Sequence, residues 1–329
     1  MADQPLHKTN KQPEAIKLRL GVSTCLLGEN VRFDGGHKKD SYLSGVLAKF
    51  VEWVPVCPEV EIGLGTPRES LHLAGDAETP RLVTTKTNRD YTEAMLRFAH
   101  AKIEQLKQLN LNGYILKKDS PSCGMERVRV YSAKGMAVRT GVGLYARVLM
   151  EKMPTLPIEE EGRLNDPRLR ENFIVRVFAN YRWQRLLEKP FRLRDLVAFH
   201  TQHKFLLLAH HERNFRELGK LVATAKSYKP KELVERYAQL FFETLRHPAT
   251  NRKHANVLQH ISGYFKKQLE ERDKKELQAT VDDYRRGLLP LIVPITLIKH
   301  YLNKFDIQYI QDQVYVNPHP KELMLLNHV

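Results

Sequence analysis

Short apolar runs alternate with helical patterns along the first half of the chain. Four runs have the length and the β-branched or aromatic content that are typical of strands. These predicted strands are residues 17–24, 53–56, 81–85 and 113–118. The predicted helices are residues 42–51, 89–109 (with Asn88 as N-cap) and 142–150. The succession of strand, helix and strand predicts an α/β domain with a parallel-rich sheet flanked by helices.

The second half has helical periodicity throughout. Apolar stripes recur from Asn172 onward, and Pro230 stands at the first position of one predicted helix. The predicted helices are residues 172–187, 193–211, 231–246, 255–267 and 274–286. A charged and turn-rich segment, residues 158–171, lies between the two patterns. We therefore expect a flexible tail over residues 1–15, the α/β domain over 16–167 and an all-α domain over 168–329.

Positive charge is concentrated in the second half. The formal net charge is +15, of which residues 1–160 contribute +4 and residues 161–329 contribute +11. A basic half beside a nearly neutral half favours a polyanion as partner, and phosphate backbones are the commonest polyanions in cells. A cationic surface that is simply solvated is the alternative. We favour nucleic acid.

The apolar runs are too short for a membrane-spanning helix. The best candidate, Leu288–Ile298, is interrupted by Pro290 and Pro294. The first fifteen residues lack the apolar core of a signal peptide. We expect a cytoplasmic protein that does not associate with a membrane, and we predict no protein partner.

Each of the three cysteines follows a strand-like run and lies in a turn. They are Cys25, Cys57 and Cys123. An odd number of widely spaced cysteines argues against a disulfide framework. Ligands of parallel α/β sheets bind at the carboxyl ends of strands, where all three are predicted to lie. Buried apolar thiols, a zinc ion with a fourth ligand from His or water, and a [4Fe–4S] cluster with one open iron all remain compatible with the spacing.

Several blocks of the first half resemble the TudS family of thiouracil desulfidases. They are VSTCLLGENVRFDGG, VCPEVEIGLGTPRES, LKKDSPSCG and LPIEEEGRL. The second half resembles the YbgA-type domain through FHTQHKFLLLAH, LGKLVA, HPATNRKHANVLQHISGYF and YRRGLLPLIVPITLIKHYL. The fused architecture is similar to that of tRNA 4-thiouridine desulfidases.

The resemblance implies a [4Fe–4S] cluster held by Cys25, Cys57 and Cys123, and removal of sulfur without net redox change. A thiocarbonyl sulfur is soft and suits an open iron, which would draw electrons from the C–S bond. Water would then replace sulfur on the ring, with the help of a protein base and a proton donor. The implied reaction converts 4-thiouridine in tRNA to uridine.

Five further residues are predicted to serve this chemistry. Glu59 follows Cys57 by two positions and is the expected base, while Ser120 or Ser122, beside Cys123, would relay a proton. Ser120 is the preferred relay. Asp34 and Arg68 are predicted to bind substrate. The alternatives are a solvated or helix-capping glutamate, turn-forming serines and aspartate, and a structural salt bridge for the arginine.

The helical half is expected to hold the RNA. Basic residues and His254 cluster near Tyr264, Phe265 and Tyr284, whose rings could stack on unpaired bases unless they belong to the core. The basic residues are Arg252, Lys253, Lys266, Lys267, Arg285 and Arg286. Two alternatives to a tRNA desulfidase remain: a desulfidase of free thiouracil or thiolated nucleosides, and a non-enzymatic RNA-binding protein with structural zinc.

Overall fold

The computed structural model describes residues 17–132 and 134–328. The predicted tail, residues 1–15, lies outside the described residues. Eight strands form two four-stranded sheets within these ranges. They are β1 Leu18–Ser23, β2 Val51–Val56, β3 Leu71–Ala74, β4 Arg81–Thr84, β5 Gly113–Leu116, β6 Val128–Tyr131, β7 Ala137–Gly141 and β8 Ile158–Glu160.

The first sheet has the order β2-β1-β5-β8, and all its pairs are parallel. The neighbours β1 and β5 approach closely because Gly21 faces Tyr114 in register. A Cβ atom on Gly21 would lie only 2.1 Å from the tyrosine ring. Since the strands run in one direction, their carboxyl ends share one edge, as the sequence predicts.

The second sheet has the order β4-β3-β6-β7 and mixes directions. Only β3 and β6 are parallel, whereas β4 and β7 pair with them antiparallel. The predicted strand at residues 81–85 is therefore confirmed, but it belongs to this second sheet. The remaining three strands of the sheet were not predicted, because each is only four or five residues long and β7 is mostly exposed.

The described chain has twelve helices, eight of them in the second half. They are α1 Ser41–Ser44, α2 Pro58–Glu61, α3 Thr92–Lys107, α4 Leu144–Lys152, α5 Pro167–Leu187, α6 Leu193–His210, α7 Glu212–Ala223, α8 Pro230–Arg246, α9 Asn251–Ser262, α10 Glu271–Arg286, α11 Ile292–Phe305 and α12 Gln308–Gln311. This arrangement confirms the predicted fold class, an α/β first half followed by a helical second half. None of the described helices has both the length and the apolarity to span a bilayer.

Three local predictions in the first half are wrong. The helix expected over 42–51 is only α1 and a short turn, because Gly45 leaves the helical region and Val51 begins β2. Asn88 does not cap a helix, since it has a left-handed backbone with φ 53°. The helix begins instead at Thr92, whose N–H donates to Asp90 Oδ1 over 2.8 Å. The charged segment at 158–171 is not merely a turn, because it supplies β8.

Helix α5 contributes to the cores of both halves. Phe173, Ile174 and Val177 pack with buried residues of β1 and β5. Other residues of α5, among them Trp183, pack with the remaining helices. Asn180 Nδ2 donates to the carbonyl oxygens of Leu111 and Asn112 just before β5. The domain boundary near residue 167 stays a prediction, and the helix that follows it completes the first core.

Candidate functional site

The three cysteines line one cavity at the carboxyl edge of the first sheet. Cys25 follows β1, Cys57 follows β2, and Cys123 lies in the turn after β5. These three strands are neighbours, so residues separated by 32 and 66 positions in the sequence meet at one place. The cavity has a volume of about 320 Å³. The convergence that the sequence predicted is therefore present.

Burial controls the acidity of the three thiols. It raises the pKa of Cys25 to about 11, although the charge of Lys117 opposes the shift. It also raises the pKa of Cys57, against the smaller opposing effect of backbone N–H groups of α2, and that of Cys123, against a hydrogen bond with Ser23. A metal centre that takes these groups as thiolates must release their protons.

Cysteine thiolates are ligands of single metal ions and of iron–sulfur clusters. Thiolates on one zinc ion bind at about 2.3 Å, which brings their sulfur atoms within about 4 Å of one another. Over residues 17–132 and 134–328, no group of three or more Cys, His, Asp or Glu side chains has the arrangement of a single-ion site. The donor set on this cavity, three cysteine thiols, has the chemistry of a metal centre with thiolate ligands.

Glu59 is held in the cavity wall by two partners. Its Oε2 accepts hydrogen bonds from Arg68 Nη2 at 2.6 Å and Nε at 3.1 Å, and its Oε1 accepts from the Ser122 hydroxyl at 2.9 Å. Arg68 also donates to the carbonyl oxygens of Val31 and Gly65. Both Glu59 and Arg68 line the cavity. Arg68 thus has the salt-bridge geometry that was its alternative interpretation, and it fixes the orientation of the carboxylate.

The two serines of the turn have different positions. Ser122 is fully buried, and its hydroxyl is committed to Glu59. Ser120 lines the cavity, and its Oγ accepts the N–H groups of Ser122 at 3.2 Å and Cys123 at 3.1 Å. Because those bonds use only its lone pairs, the Ser120 O–H is left to donate. The geometry separates a hydroxyl that can face substrate from one that positions the carboxylate.

Gly143 supports the turn that carries Cys123. A Cβ atom there would lie 2.5 Å from the carbonyl oxygen of Ser122 and 2.8 Å from the backbone nitrogen of Cys123. The N–H of Gly143 donates to the Gly124 carbonyl at 2.8 Å. This role was not predicted from the sequence, where only the place of Gly143 beside Gly141 in the short G-V-G run could have drawn attention to it.

Comparisons with known proteins place both halves in families. A family model described as 2-thiouracil desulfurase matches residues 20–161, and one described as a protein of unknown function, DUF1722, matches residues 204–320. The YbgA protein of Escherichia coli strain K12 is 32% identical over 163 residues, which are 49% of this chain and 96% of that protein. The YbbK protein of Bacillus subtilis strain 168 is 30% identical over 150 residues, 44% of this chain and 97% of that protein.

A solved structure, named as that of the [4Fe-4S]-dependent thiouracil desulfidase TudS, is 29% identical to part of this chain. It covers 45% of this chain and 94% of its own, with a TM-score of 0.37. The assignment therefore depends on the sequence matches. This chain joins a 2-thiouracil desulfurase-family domain to a YbgA-type domain. All three cysteines, Glu59 and both serines lie within the matched 2-thiouracil desulfurase segment.

Asp34 does not line the cavity of the desulfurase-family domain. Its Oδ1 accepts the N–H of Gly36 at 3.0 Å, and it pairs with Arg32, so it has the turn geometry that was its alternative interpretation. The pKa of the Asp34 carboxyl is lowered, and the hydrogen bond from the Gly36 N–H is the largest contribution to this shift. Neighbouring residues that were not predicted do line the cavity, among them Phe33, Lys38 and Lys117. Lys117 directly follows β5, and this position at a strand end was the available signal.

In the YbgA-type half, most of the predicted stacking rings are buried. Phe265 and Tyr284 belong to the helical core, as the alternative interpretation proposed. Tyr264 is exposed and stacks on Tyr309, with ring centroids 5.5 Å apart. His254 is largely enclosed, and its Nδ1 lies 2.9 Å from the Tyr315 hydroxyl. The surface that remains for a polyanion consists of Tyr264 and exposed basic side chains: Arg252, Lys266, Lys267, Arg285 and Arg286.

Proposed function

We propose that this protein is a [4Fe–4S]-dependent tRNA desulfidase that converts 4-thiouridine to uridine. The observation that carries the proposal is the convergence of Cys25, Cys57 and Cys123 on one cavity, beside Glu59 and Ser120, within a 2-thiouracil desulfurase-family domain. Residues 16–167 would carry the chemistry, and residues 168–329 would hold the RNA.

The three cysteines would hold the cluster and leave one iron without a protein ligand. The similar TudS protein is named as [4Fe-4S]-dependent, which supports a cluster of this kind here. When bound, the cluster would supply Lewis-acid activation of the thiocarbonyl group and accept the departing sulfur. The donor set is suitable because thiolates are the usual ligands of iron–sulfur clusters.

The side chains around the cavity have distinct tasks in this proposal. Glu59 is held by Arg68 and Ser122, and its Oε1, which accepts only the Ser122 hydroxyl, keeps a free lone pair to accept a proton from the attacking water. Ser120 donates its hydroxyl proton to the pyrimidine or relays it from the water. Lys117, which forms an ion pair with Glu161, and Lys118 line the same cavity, and the charge of Lys118 favours the sulfide that the reaction releases.

Positive charge supports RNA as substrate. Lys38 and Lys118 are exposed at the cavity and have no ion pair within the described part of the chain. The exposed cations Arg252, Lys266 and Arg286 of the second half likewise form no ion pair among the described residues. Free thiouracil is small and uncharged, so these cations would add little to its binding. Each phosphate of a tRNA, in contrast, is attracted to them, which increases the affinity for RNA. The modified base would have to leave its stack to reach the cavity.

Action on free thiolated bases is the second candidate, because the description of the matching family names 2-thiouracil. The deciding experiment uses full-length protein purified and reconstituted without oxygen. It is incubated with tRNA that bears 4-thiouridine, with 4-thiouridine nucleoside and with 2-thiouracil. We expect uridine in the tRNA, released sulfide, and the largest kcat/KM on tRNA. A kcat/KM that is larger on 2-thiouracil than on tRNA would overturn the RNA part of the proposal alone.

A further inference from the structure

The second sheet has one buried face and one open face beside the cysteine cavity. Leu73 and Val130 point into the core of the first half. Because side chains alternate along a strand, their neighbours in β3, β6 and β7 lie on the opposite face. There, His72, Arg129, Tyr131 and Arg139 line a cleft of about 300 Å³.

The two arginines of this cleft stand directly opposite each other. Arg129 of β6 is the register partner of Arg139 of β7. Both are exposed, and neither pairs with a carboxylate in the described ranges. Like charges opposite each other on neighbouring strands destabilise a sheet. An anion placed between the two guanidinium groups would offset that repulsion, and a phosphate matches their forked donors.

The cleft adjoins the cysteine cavity across a shared wall. Leu71, Asp119 and Pro121 line both. Asp119 is the acidic residue of the shared wall, and it is not within ion-pair distance of either arginine. A nucleotide bound in the cavity would therefore have its neighbour in the chain over the cleft.

The cleft also has an aromatic floor. The rings of His72 and Tyr131 meet edge to face, with centroids 5.2 Å apart. The buried Nδ1 atom of His72 has no hydrogen-bond partner within the described residues. Aromatic side chains beside basic ones on the open face of a four-stranded sheet are a common way to bind single-stranded RNA.

We propose that this cleft binds the nucleotide adjacent to the thiolated one, with its phosphate between Arg129 and Arg139 and its base or sugar against Tyr131 and His72. The inference depends on the proposed RNA substrate and extends it. It assigns to the desulfurase-family half a part of RNA recognition that the sequence alone attributed entirely to the helical half. Free thiouracil has no phosphate and would leave the cleft empty.

The test is the double variant Arg129→Gln/Arg139→Gln of the reconstituted full-length protein. We expect the ratio of kcat/KM on 4-thiouridine tRNA to kcat/KM on 2-thiouracil to fall about tenfold, and the salt dependence of tRNA binding to lose about one phosphate contact. Arg81→Gln is the matched control, because Arg81 is exposed on β4 of the same sheet and lines neither cavity. It should leave the ratio unchanged.

Substrate length gives a second measure. A trinucleotide with central 4-thiouridine should be turned over with a lower KM than the nucleoside by wild type, and this advantage should be lost in the double variant. Arg129→Lys/Arg139→Lys keeps the charge and should retain most of it, which guards against a folding defect in the glutamine variant. An unchanged ratio and salt slope in the folded double variant would overturn the cleft assignment. Failure of the wild type on any RNA would instead overturn the proposed function.

Discussion

The two halves of this protein place their polar side chains in different environments. The first half gathers thiols, a carboxylate, a guanidinium and hydroxyls around one cavity at a sheet edge. The second half encloses His200, His203, His210 and His254 among its helices and exposes most of its Lys and Arg side chains, apart from Arg176 and Arg182 of α5. Burial lowers the pKa of His203 and His254 to about 3 and that of His200 and His210 to about 4, so they are neutral at physiological pH. The difference is consistent with the division of labour proposed above, in which the first half performs the chemistry and the surface of the second half binds RNA.

The largest effect should come from loss of one cysteine. Cys123→Ala removes a thiolate ligand and should abolish both iron binding and turnover, while the affinity for tRNA stays close to wild type. Iron content, release of sulfide from 4-thiouridine tRNA and a filter-binding titration measure the three properties. A variant that keeps its cluster but loses RNA binding would contradict the division of labour between the halves.

Removal of the carboxylate charge should come next. Glu59→Gln keeps the shape of the side chain but loses the base, and we expect kcat to fall about 100-fold or more with iron content unchanged. Glu52→Gln is the control, because Glu52 of β2 forms an exposed salt bridge with Arg19 of β1. If Glu59→Gln is no slower than Glu52→Gln, Glu59 is not the base.

Acid should weaken the second half more than the first. The four enclosed histidines have folded pKa values below the unfolded value of about 6.5, so they take up protons on unfolding below that pH. The stability they contribute is fully present above about pH 6.5 and falls toward pH 4, by at most about 1.4 kcal/mol per pH unit for each histidine.

Hydrogen exchange at pH 7 and pH 5, corrected for the intrinsic exchange rate, distinguishes the two halves. Peptides from α6, which carries His200, His203 and His210, should lose more protection at pH 5 than peptides from β1. Equal loss in both would contradict the assignment of the acid-sensitive groups to the second half.

The smallest effects concern a pair of glycines. In Gly143→Ala the new Cβ atom would displace the backbone of the turn that carries Cys123. Cluster retention should therefore be lower, and iron content after gel filtration measures it. Gly219→Ala in α7 is the matched change in the second half, since its Cβ would meet no atom within 4 Å. It should stabilise that half by about 0.5–1 kcal/mol. Full cluster retention in Gly143→Ala would mean that the turn adapts.

The meeting of the cysteines could be predicted because parallel strands end at one edge. That rule needs only the strands before Cys25, Cys57 and Cys123, and each is strongly apolar. It could not reveal which side chains fill the edge. The Glu59–Arg68 pair depends on how the chain turns over residues 62–67, and no periodic pattern encodes that path.

Local sequence patterns could not predict the second sheet or the burial of the histidines, and the reason here is different. Strand β7 is mostly exposed, so its hydrophobic alternation is weak. His203 is fully buried because α6 is covered on several sides, and its Nδ1 hydrogen bond to the Phe199 carbonyl satisfies only part of the ring. Burial of that kind is set by tertiary packing and not by the helix's own periodicity.

Helix α5 limits where the chain can be divided into fragments that fold separately. Its residues Phe173, Ile174 and Val177 shield one side of the first sheet, yet the helix lies beyond the segment that matches the 2-thiouracil desulfurase family. A fragment that ends at residue 167 would expose the apolar face of the first sheet that these residues cover, and it would tend to aggregate. A fragment that ends after Leu187 keeps these three residues but exposes the opposite face of α5, where Trp183 packs with the other helices. The two halves therefore share this helix, and a cut at either of its ends is expected to leave an exposed apolar surface.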